Sequence, residues 1–355
     1  MGRGKPTKNR VEMTRTGFAA PALAPSDDDG SDRAREIEAL SIPIEEIKYD
    51  TVTIGDYEDD EPLQLPIGLF IEGEDEDAPK TRIVDFIIRP GVGTGDFDEF
   101  LAKLDPQQGE NPKKTVDTIA LFLGGGRTKD GYHLGAIESL GGVDFREFVS
   151  KSKQSSGEQL VKNMYLGDVA TIMFGARLHT GGRDFAVDRE CPVPRCRTRC
   201  RSIQSLNGIK IKSIPSLEDK PLFKFTLRDG MNDGRKIIKD VYLEPLKLYQ
   251  LGLFVGGGKV PDIEMLTAMI AEIPDSEEYG KEKGNPFCSK LYKTMTTYDI
   301  SALRQAAARL TPGPIAVIDG VECECGEEQF PHQINWARMP RNFLYQSSEL
   351  TDEDL

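Results

Sequence analysis

The sequence reads LVKNMYLGDVATIMFGARLHTGG at residues 160–182 and LYKTMTTYDISALRQAAARLTPG at residues 291–313, which are two versions of one pattern. The first shared word, L-x-K-x-M-x-x-x-D, ends at Asp168 and at Asp299. The second, R-L-x-x-G, begins at Arg177 and at Arg309. Apolar residues follow each aspartate at helical spacing, so each stretch predicts a helix with the aspartate as its N-cap. Glycine or proline after the second word then ends each predicted helix.

The pattern extends outward from these two stretches. The word F-x-x-R-x-G-x-x-x-G begins at Phe86 and again at Phe225, and LFLGGGR at residues 121–127 is matched by LFVGGGK at residues 253–259. A cysteine follows the R-L-x-x-G word at the same distance in both copies. Four words in the same order predict a tandem duplication of one structural unit.

Each predicted unit contains a β piece, a glycine-rich turn, helices and a short β ribbon that bears a cysteine, so the predicted fold class is α+β. A further helix is predicted over residues 263–273, where apolar residues share one helical face. The predicted organisation is a flexible arm (1–40), a small β region (41–80), repeat unit 1 (81–205), repeat unit 2 (206–330) and an aromatic C-terminal segment (331–355).

Composition limits the class of protein. The 355 residues carry a formal charge of −14, which argues against a surface that binds duplex DNA over its whole extent. No apolar run approaches the roughly 20 residues that a membrane span requires. Six cysteines at irregular positions, without a leading segment that resembles a signal peptide, favour a soluble protein in a reducing cytoplasm.

The cysteines are the strongest chemical lead in the sequence. CPVPRCRTRC carries Cys191, Cys196 and Cys200, and CECG carries Cys323 and Cys325. Structural zinc needs four convergent ligands, usually two short pairs on turns, and two turns from duplicated units would supply them. The candidate set is Cys191, Cys196, Cys323 and Cys325, with Cys200 as an alternative ligand. Reduced cysteines that pack in the core are the other interpretation.

A dense cationic patch surrounds the first cysteine run, formed by Arg195, Arg197, Arg199 and Arg201. On an acidic protein, such a patch beside possible zinc ligands suggests a zinc-ribbon module that binds nucleic acid.

No catalytic residue is predicted. The GGGR and GGGK turns lack the spacing of known phosphate-binding loops, and a turn that needs positive φ accounts for their glycines. The three histidines occupy unlike positions in the two copies, so no shared general base is visible. The shared aspartates and arginines are interpreted as helix caps and as cations at helix C-termini. An enzyme that uses the glycine-rich turns on a nucleotide is the remaining, weaker hypothesis.

The end of the chain is rich in aromatic residues. Trp336, Phe343 and Tyr345 lie where a chain end would otherwise fray. Two alternatives follow: the segment folds back on the second repeat unit, or these side chains bind a partner protein.

The two stretches quoted first, together with CPVPRC, VECECG and the aromatic end NFLYQSS, resemble the baseplate hub and hub-assembly family of T-even-type contractile phage tails. Related proteins occur in contractile injection systems. The resemblance implies a non-enzymatic structural or assembly role, other tail or baseplate proteins as partners, and a location in the host cytoplasm during assembly and then in the tail particle. A fused double copy would offer two related faces to one partner or replace two subunits.

Overall fold

The part of the chain described by the computed structural model comprises residues 35, 37–57, 63–71, 80–93, 95–104, 112–128, 131–152, 154–191, 196, 199–253, 262–274, 289–322, 329–337 and 340–345. The predicted flexible arm lies almost wholly outside these residues, as do Cys323 and Cys325. Within the described part the protein is a mixture of helices and mainly antiparallel sheets, so the predicted α+β class is confirmed. None of the described helices is long and apolar enough to cross a membrane.

The strands of the described part are β1 (Ile42–Pro43), β2 (Asp50–Thr53), β3 (Gln64–Ile71), β4 (Thr81–Ile88), β5 (Gly126–Thr128), β6 (Gly131–His133), β7 (Ile137–Leu140), β8 (Val143–Asp144), β9 (Asp184–Glu190), β10 (Arg199–Ser205), β11 (Lys210–Ser213), β12 (Phe223–Asn232), β13 (Ile237–Leu243), β14 (Ile270–Glu272), β15 (Gly313–Pro314), β16 (Val317–Glu322) and β17 (Gln329–Gln333). The helices are α1 (Gly95–Leu104), α2 (Pro112–Gly124), α3 (Phe145–Lys151), α4 (Gly157–Asn163), α5 (Leu166–Thr180), α6 (Asp262–Met269), α7 (Ser289–Thr294), α8 (Thr297–Arg309) and α9 (Pro340–Tyr345).

Two units follow one another along the chain. The N-terminal unit (residues 63–205) has a sheet in the order β3-β4-β7-β8. The C-terminal unit (residues 206–333) has the strands β12-β13-β14, and strand β1, from before the first unit, pairs in parallel with β12. In the first unit the helices α3, α4 and α5 follow the sheet, and in the second α7 and α8 do; a β hairpin comes later in each unit. The two hairpins, β9-β10 and β16-β17, touch through β10 and β16.

The first hairpin of each sheet has the same irregular register. In the N-terminal unit, Gln64 pairs with Asp85 and the register then shifts before Leu69 pairs with Ile83. In the C-terminal unit, Thr226 pairs with Asp240 and the register shifts before Met231 pairs with Ile238. Each bulge contains a glycine at nearly the same positive φ, Gly68 at 86° and Gly230 at 88°. Positive φ is a conformation that glycine adopts without steric cost, so both bulges require this residue.

This register corrects part of the predicted alignment. The word that begins at Phe86 lies on β4, whereas the word that begins at Phe225 lies on β12, and by register β12 corresponds to β3. LFLGGGR begins at the end of helix α2, whereas all of LFVGGGK after Leu253 lies outside the described residues, so this pair of words is not compared. The words around the two aspartates each run from the end of one helix into the start of the next, from α4 into α5 and from α7 into α8.

Three further expectations need correction. Helix α5 begins after Tyr165 and helix α8 after Thr296, so Asp168 and Asp299 occupy the third helical position and are not the N-caps. The helix predicted over residues 263–273 ends at Met269 and continues as strand β14. The strands of the predicted β region do not form a sheet of their own, because β1 pairs with β12, β2 with β11 and β3 with β4. The helix ends predicted after Arg177 and Arg309 are confirmed.

Helix α5 forms the centre of the larger core. Its residues from Asp168 to Arg177 are all buried, which is unusual for a helix and reflects cover on every side by β3, by β15 and by helix α9. A second core lies beneath β12 and helix α8. Strand β3 belongs to both, since Leu65 faces the first core and Ile67 the second. The two units therefore share a buried boundary.

Candidate functional site

The carboxylate of Asp299 holds the bulge of the C-terminal unit. It accepts hydrogen bonds from the backbone N–H groups of Arg228, Asp229 and Gly230 at 2.9, 3.0 and 2.9 Å. The residue is 1% exposed. Thr296 caps helix α8 and accepts a hydrogen bond from the N–H of Asp299, which fixes the position of the carboxylate. A buried carboxylate that accepts several N–H bonds is satisfied by the fold itself.

The carboxylate of Asp168 holds the bulge of the N-terminal unit in the same way. Its carboxylate accepts from the N–H groups of Ile67 and Gly68 at 2.8 and 3.1 Å. Complete burial raises the pKa of Asp168 from 3.8 to about 7, although the two N–H bonds and the charge of Arg82 act in the opposite direction. The two shared aspartates therefore bind the strand across from their helix, and both act on the bulge of the first hairpin.

The junction between the units is held by polar contacts that the sequence did not predict. The hydroxyl of Tyr165 donates to Glu244 at 2.8 Å, and Lys247 pairs with the same carboxylate. The N–H of Leu166 donates to the carbonyl of Leu246 at 2.7 Å, which continues the contact through the backbone. Burial and the neighbouring Glu244 carboxylate raise the pKa of the Tyr165 hydroxyl, so it stays protonated.

Arg82 binds backbone carbonyl groups of both units. Its guanidinium donates to the carbonyl oxygens of Ile67 at 2.7 Å, Ile214 at 2.8 Å and Pro215 at 2.7 Å. Beside it, Lys80 forms an ion pair with Asp219. An arginine satisfied by three carbonyl groups from two units fixes their relative position. No local sequence pattern signals such a role, because its partners lie far away along the chain.

Arg177 is a buried anchor and not an exposed cation at a helix end. Its side chain is fully buried, and its guanidinium donates to the carbonyl oxygens of Leu344 at 3.0 Å and Asp184 at 2.6 Å. A methyl group on Gly181 would lie 2.0 Å from its Nη1 atom, so the glycine of the R-L-x-x-G word makes room for the guanidinium. Arg177 lies in the last turn of helix α5, as expected of a cation at a helix C-terminus, and its guanidinium also binds carbonyl groups outside that helix.

The aromatic C-terminal segment folds back on the N-terminal unit. Helix α9 packs on α5 and α1, the rings of Phe343 and Phe174 lie 5.0 Å apart, and the hydroxyl of Tyr345 donates to the carbonyl of Val92 at 2.9 Å. Trp336 is also partly buried against this core. Of the two alternatives, folding back is observed, but on the first unit and not on the second as expected. Partner binding by Trp336, Phe343 and Tyr345 stays a prediction.

Of the proposed zinc ligands, the structure describes Cys191, Cys196 and the strand that contains Cys200. Cys191 follows strand β9 and is 5% exposed, and Cys196 packs partly buried against the same core. Strand β10 contains Cys200, while Cys323 and Cys325 lie outside the described residues. Among the residues that the structure describes, no three His, Cys, Asp or Glu side chains are grouped to hold a metal ion. Both interpretations of the cysteines stay predictions.

The structure describes the strand that carries two of the four arginines of the predicted patch. Arg199 and Arg201 belong to strand β10, whereas Arg195 and Arg197 lie outside the described residues. Nucleic-acid binding by this patch stays a prediction.

The first glycine-rich turn has a packing role. A methyl group on Gly124 would lie 2.4 Å from the backbone of Gly157, so these glycines let helices α2 and α4 cross in close contact. Gly125 adopts a φ of 69°, as the interpretation of a positive-φ turn predicts. The second turn, at residues 254–259, lies outside the described residues.

No protein family model, no curated protein and no solved structure matches this chain. The family resemblance therefore rests on the sequence words alone.

Proposed function

We propose that the protein is a non-enzymatic structural or assembly component of a contractile tail baseplate, of a phage or an injection system, and that it acts through protein–protein contacts. In this proposal the chain is a tandem duplication of one unit, fused into a single rigid body. It works in the host cytoplasm during assembly and in the tail particle if it stays bound.

The bulge held by a buried carboxylate is the observation that carries the proposal. It occurs twice, with the same strand register, the same positive-φ glycine and the same helical position of the aspartate. Such a detailed likeness supports duplication, because bulges are specific features of a fold. The carboxylates of Asp168 and Asp299 accept hydrogen bonds from backbone N–H groups, so both carboxylates have a structural role.

The junction supports the second part of the proposal. Arg82, Lys80 and the Tyr165–Glu244 pair join the two units through buried or partly buried contacts. Two units that cannot turn relative to each other present two related surfaces at a fixed spacing. A scaffold protein uses such a pair of surfaces to place its partners.

Deletion of the gene from the particle genome that encodes this chain tests the proposal. Negative-stain electron microscopy is expected to show tails without a complete baseplate, and supply of the wild-type chain in trans is expected to restore them. A matched control supplies the chain with Gly208→Ala, at a position where nothing lies within 4 Å of the added methyl group. Complete, contracting tails in the absence of the protein would contradict the proposal.

A zinc-ribbon protein that binds nucleic acid is the second candidate function. The contact between the two cysteine-bearing hairpins, through β10 and β16, favours it. Elemental analysis of protein purified without chelator is expected to find zinc that a Cys323→Ser, Cys325→Ser variant lacks. Salt-dependent binding of DNA or RNA is expected to be lost when Arg195, Arg197, Arg199 and Arg201 become Gln. Metal-free, well-folded protein without such binding would eliminate this candidate.

A further inference from the structure

The buried core of the N-terminal unit contains residues from the far end of the sequence. Three of its buried members come from beyond helix α8, namely Ile318, Ile334 and Leu344. The core of the C-terminal unit differs, because among the described residues none of its buried members comes after Leu310. Residues 317–345 therefore follow helix α8 in the sequence but complete the core of the first unit.

Helices α5 and α8 occupy corresponding places but need different amounts of cover. All residues of α5 from Asp168 to Arg177 are buried, whereas α8 buries one face and leaves Arg304, Gln305 and Arg309 exposed. An amphipathic helix can lie on the surface of its own unit, but a helix that is buried all round needs cover on every side. Helix α9 packs on α5 and supplies part of that cover.

The guanidinium of Arg177 has one of its acceptors on helix α9. Arg177 is fully buried, and it donates to the carbonyl of Leu344 at 3.0 Å. The hydroxyl of Thr180 donates to the same carbonyl. In the C-terminal unit the arginine of the same sequence word, Arg309, is exposed. A buried charge that loses a partner destabilises the fold strongly, so the first unit needs α9 at a place where the second unit needs no cover.

Three elements of the N-terminal unit bind this six-residue helix. The ring of Phe343 packs on helix α5. The hydroxyl of Tyr345 donates to the carbonyl of Val92, in the turn after strand β4, at 2.9 Å. Arg341 pairs with Asp98 of helix α1 at 2.7 Å. The groove between these elements therefore contacts both the side chains and the last carbonyl groups of α9.

We propose that helix α9 is a strap that closes the core of the N-terminal unit, and that this unit reaches its native structure only after residues 340–345 have been made and bound. The groove is then a binding site for one short helix, and it also accepts that helix as a separate peptide. Arg177 and Leu344 are 167 residues apart, so folding of the first unit waits for synthesis of the second. This inference does not depend on the proposed function.

Amide hydrogen exchange of the full chain with Leu344→Asp tests the strap. Leu344 is fully buried, so the substitution places a charge in the core and releases α9. We expect peptides from α5 and β9 to lose slow exchange, while peptides from β12 and β13 keep it. The matched control is Tyr298→Asp on helix α8, a position that is 55% exposed, which is expected to leave exchange unchanged in both units.

A synthetic peptide of residues 338–347 separates a strap from a general loss of stability. Added in excess to the Leu344→Asp chain, the peptide is expected to restore slow exchange in α5 and β9. The same peptide with Leu344→Asp is expected to restore nothing. Fluorescence anisotropy of the labelled wild-type peptide measures its binding to the Leu344→Asp chain directly.

Arg341→Ala with Tyr345→Phe is the milder variant, since it removes two polar contacts of α9 and leaves Leu344 in place. Faster exchange in α5 is expected there without any change in β12. Unchanged exchange of α5 in the Leu344→Asp chain overturns the inference, as does an equal loss in both units. Failure of the wild-type peptide to bind that chain overturns it as well. These results concern the purified protein, so they are independent of whether gene deletion affects tails.

Discussion

At the scale of single residues, two buried carboxylates organise the two units. Asp299 accepts three N–H bonds and Asp168 accepts two, and in both cases the donors belong to the bulge of the first hairpin. A buried backbone N–H group without an acceptor destabilises the folded state. Each aspartate supplies the acceptor for N–H groups that find none within the hairpin, and so stabilises the bulge. The specific conformation of each hairpin therefore depends on one side chain from a distant helix.

Replacement of Asp299 by alanine is expected to lower the free energy of unfolding by about 4 kcal/mol. The reason is that three N–H donors lose their acceptor, at a cost of ~1–3 kcal/mol for each buried group that stays unsatisfied. Urea unfolding of the two proteins measures the difference. The matched control is Asp229→Ala, since that carboxylate is exposed and a much smaller loss is expected. Equal losses in the two variants would contradict this role of Asp299.

The pKa of Asp168 predicts a pH dependence of stability. Burial raises the pKa in the folded state from 3.8 to about 7, so the folded protein binds this proton more tightly than the unfolded chain does. Stability contributed by this group therefore falls as the pH rises from about 4 to about 7 and changes little above that range. The comparison is with Asp168→Asn, which has nearly the same shape and does not titrate.

Urea unfolding at several pH values measures this dependence as the difference in unfolding free energy between the wild type and Asp168→Asn. We expect the wild type to lose stability relative to the variant as the pH rises through this range. A gain in the same range would show that the N–H bonds and Arg82 outweigh burial.

The sequence singled out Asp168, Asp299 and Arg177 but did not predict the contacts that these residues make. Asp168 and Asp299 stand in a shared word at a helix start, where an acidic residue serves equally well as N-cap or at the third position. The deciding partners are 100 and 69 residues away, between Gly68 and Asp168 and between Gly230 and Asp299. No helical periodicity contains that information. Arg177 is a similar case, since its carbonyl partner at Leu344 belongs to the far end of the chain.

At the scale of elements, the two units meet where glycines allow backbones to touch. Gly167 lies in the first turn of helix α5, and Gly313 adopts a φ of 121° on strand β15 next to it. A methyl group on Gly313 would lie 2.7 Å from the Cα atom of Gly167. The two backbones are therefore too close for a side chain at Gly167 or Gly313. The polar contacts of the junction depend on this short distance between the backbones.

Gly167→Ala is expected to destabilise the protein by about 1–2 kcal/mol, although alanine favours helices. Overpacking costs ~1–3 kcal/mol, and the helical preference of alanine returns up to ~1 kcal/mol of that. Thermal unfolding measures the change. Gly208→Ala is the matched control, because nothing lies within 4 Å of the added group and the φ is not positive. Unchanged stability in Gly167→Ala would contradict the close junction.

The shared sequence words differ in how well they match the elements of the structure. The helix words matched because both units use the same buried helix start. The strand word beginning at Phe86 matched the wrong strand, since short apolar strands resemble one another in sequence. A better signal was present: an aspartate stands five residues before a proline at Asp85 and at Asp240, and each aspartate pairs with a polar residue across the hairpin.

At the scale of the whole molecule, the second unit and helix α9 both pack on the first unit. The C-terminal unit covers one corner of the first, helix α9 covers its opposite surface, and the surface around Tyr298 is left exposed. Tandem units that stack commonly end in atypical caps, which limit further stacking. The sequence indicated the aromatic end as important, but its docking on the first unit depends on the whole fold.

Amide hydrogen exchange, followed by mass spectrometry on peptides covering residues 64–71 and 223–232, tests most directly the central claim that the two units are built alike around a carboxylate-held bulge. Slow exchange is expected at the N–H groups of both bulges in the wild type. In Asp299→Ala fast exchange is expected at residues 228–230, with residues 67–68 unchanged. Fast exchange at either bulge in the wild type, or no change in the variant, would contradict the claim.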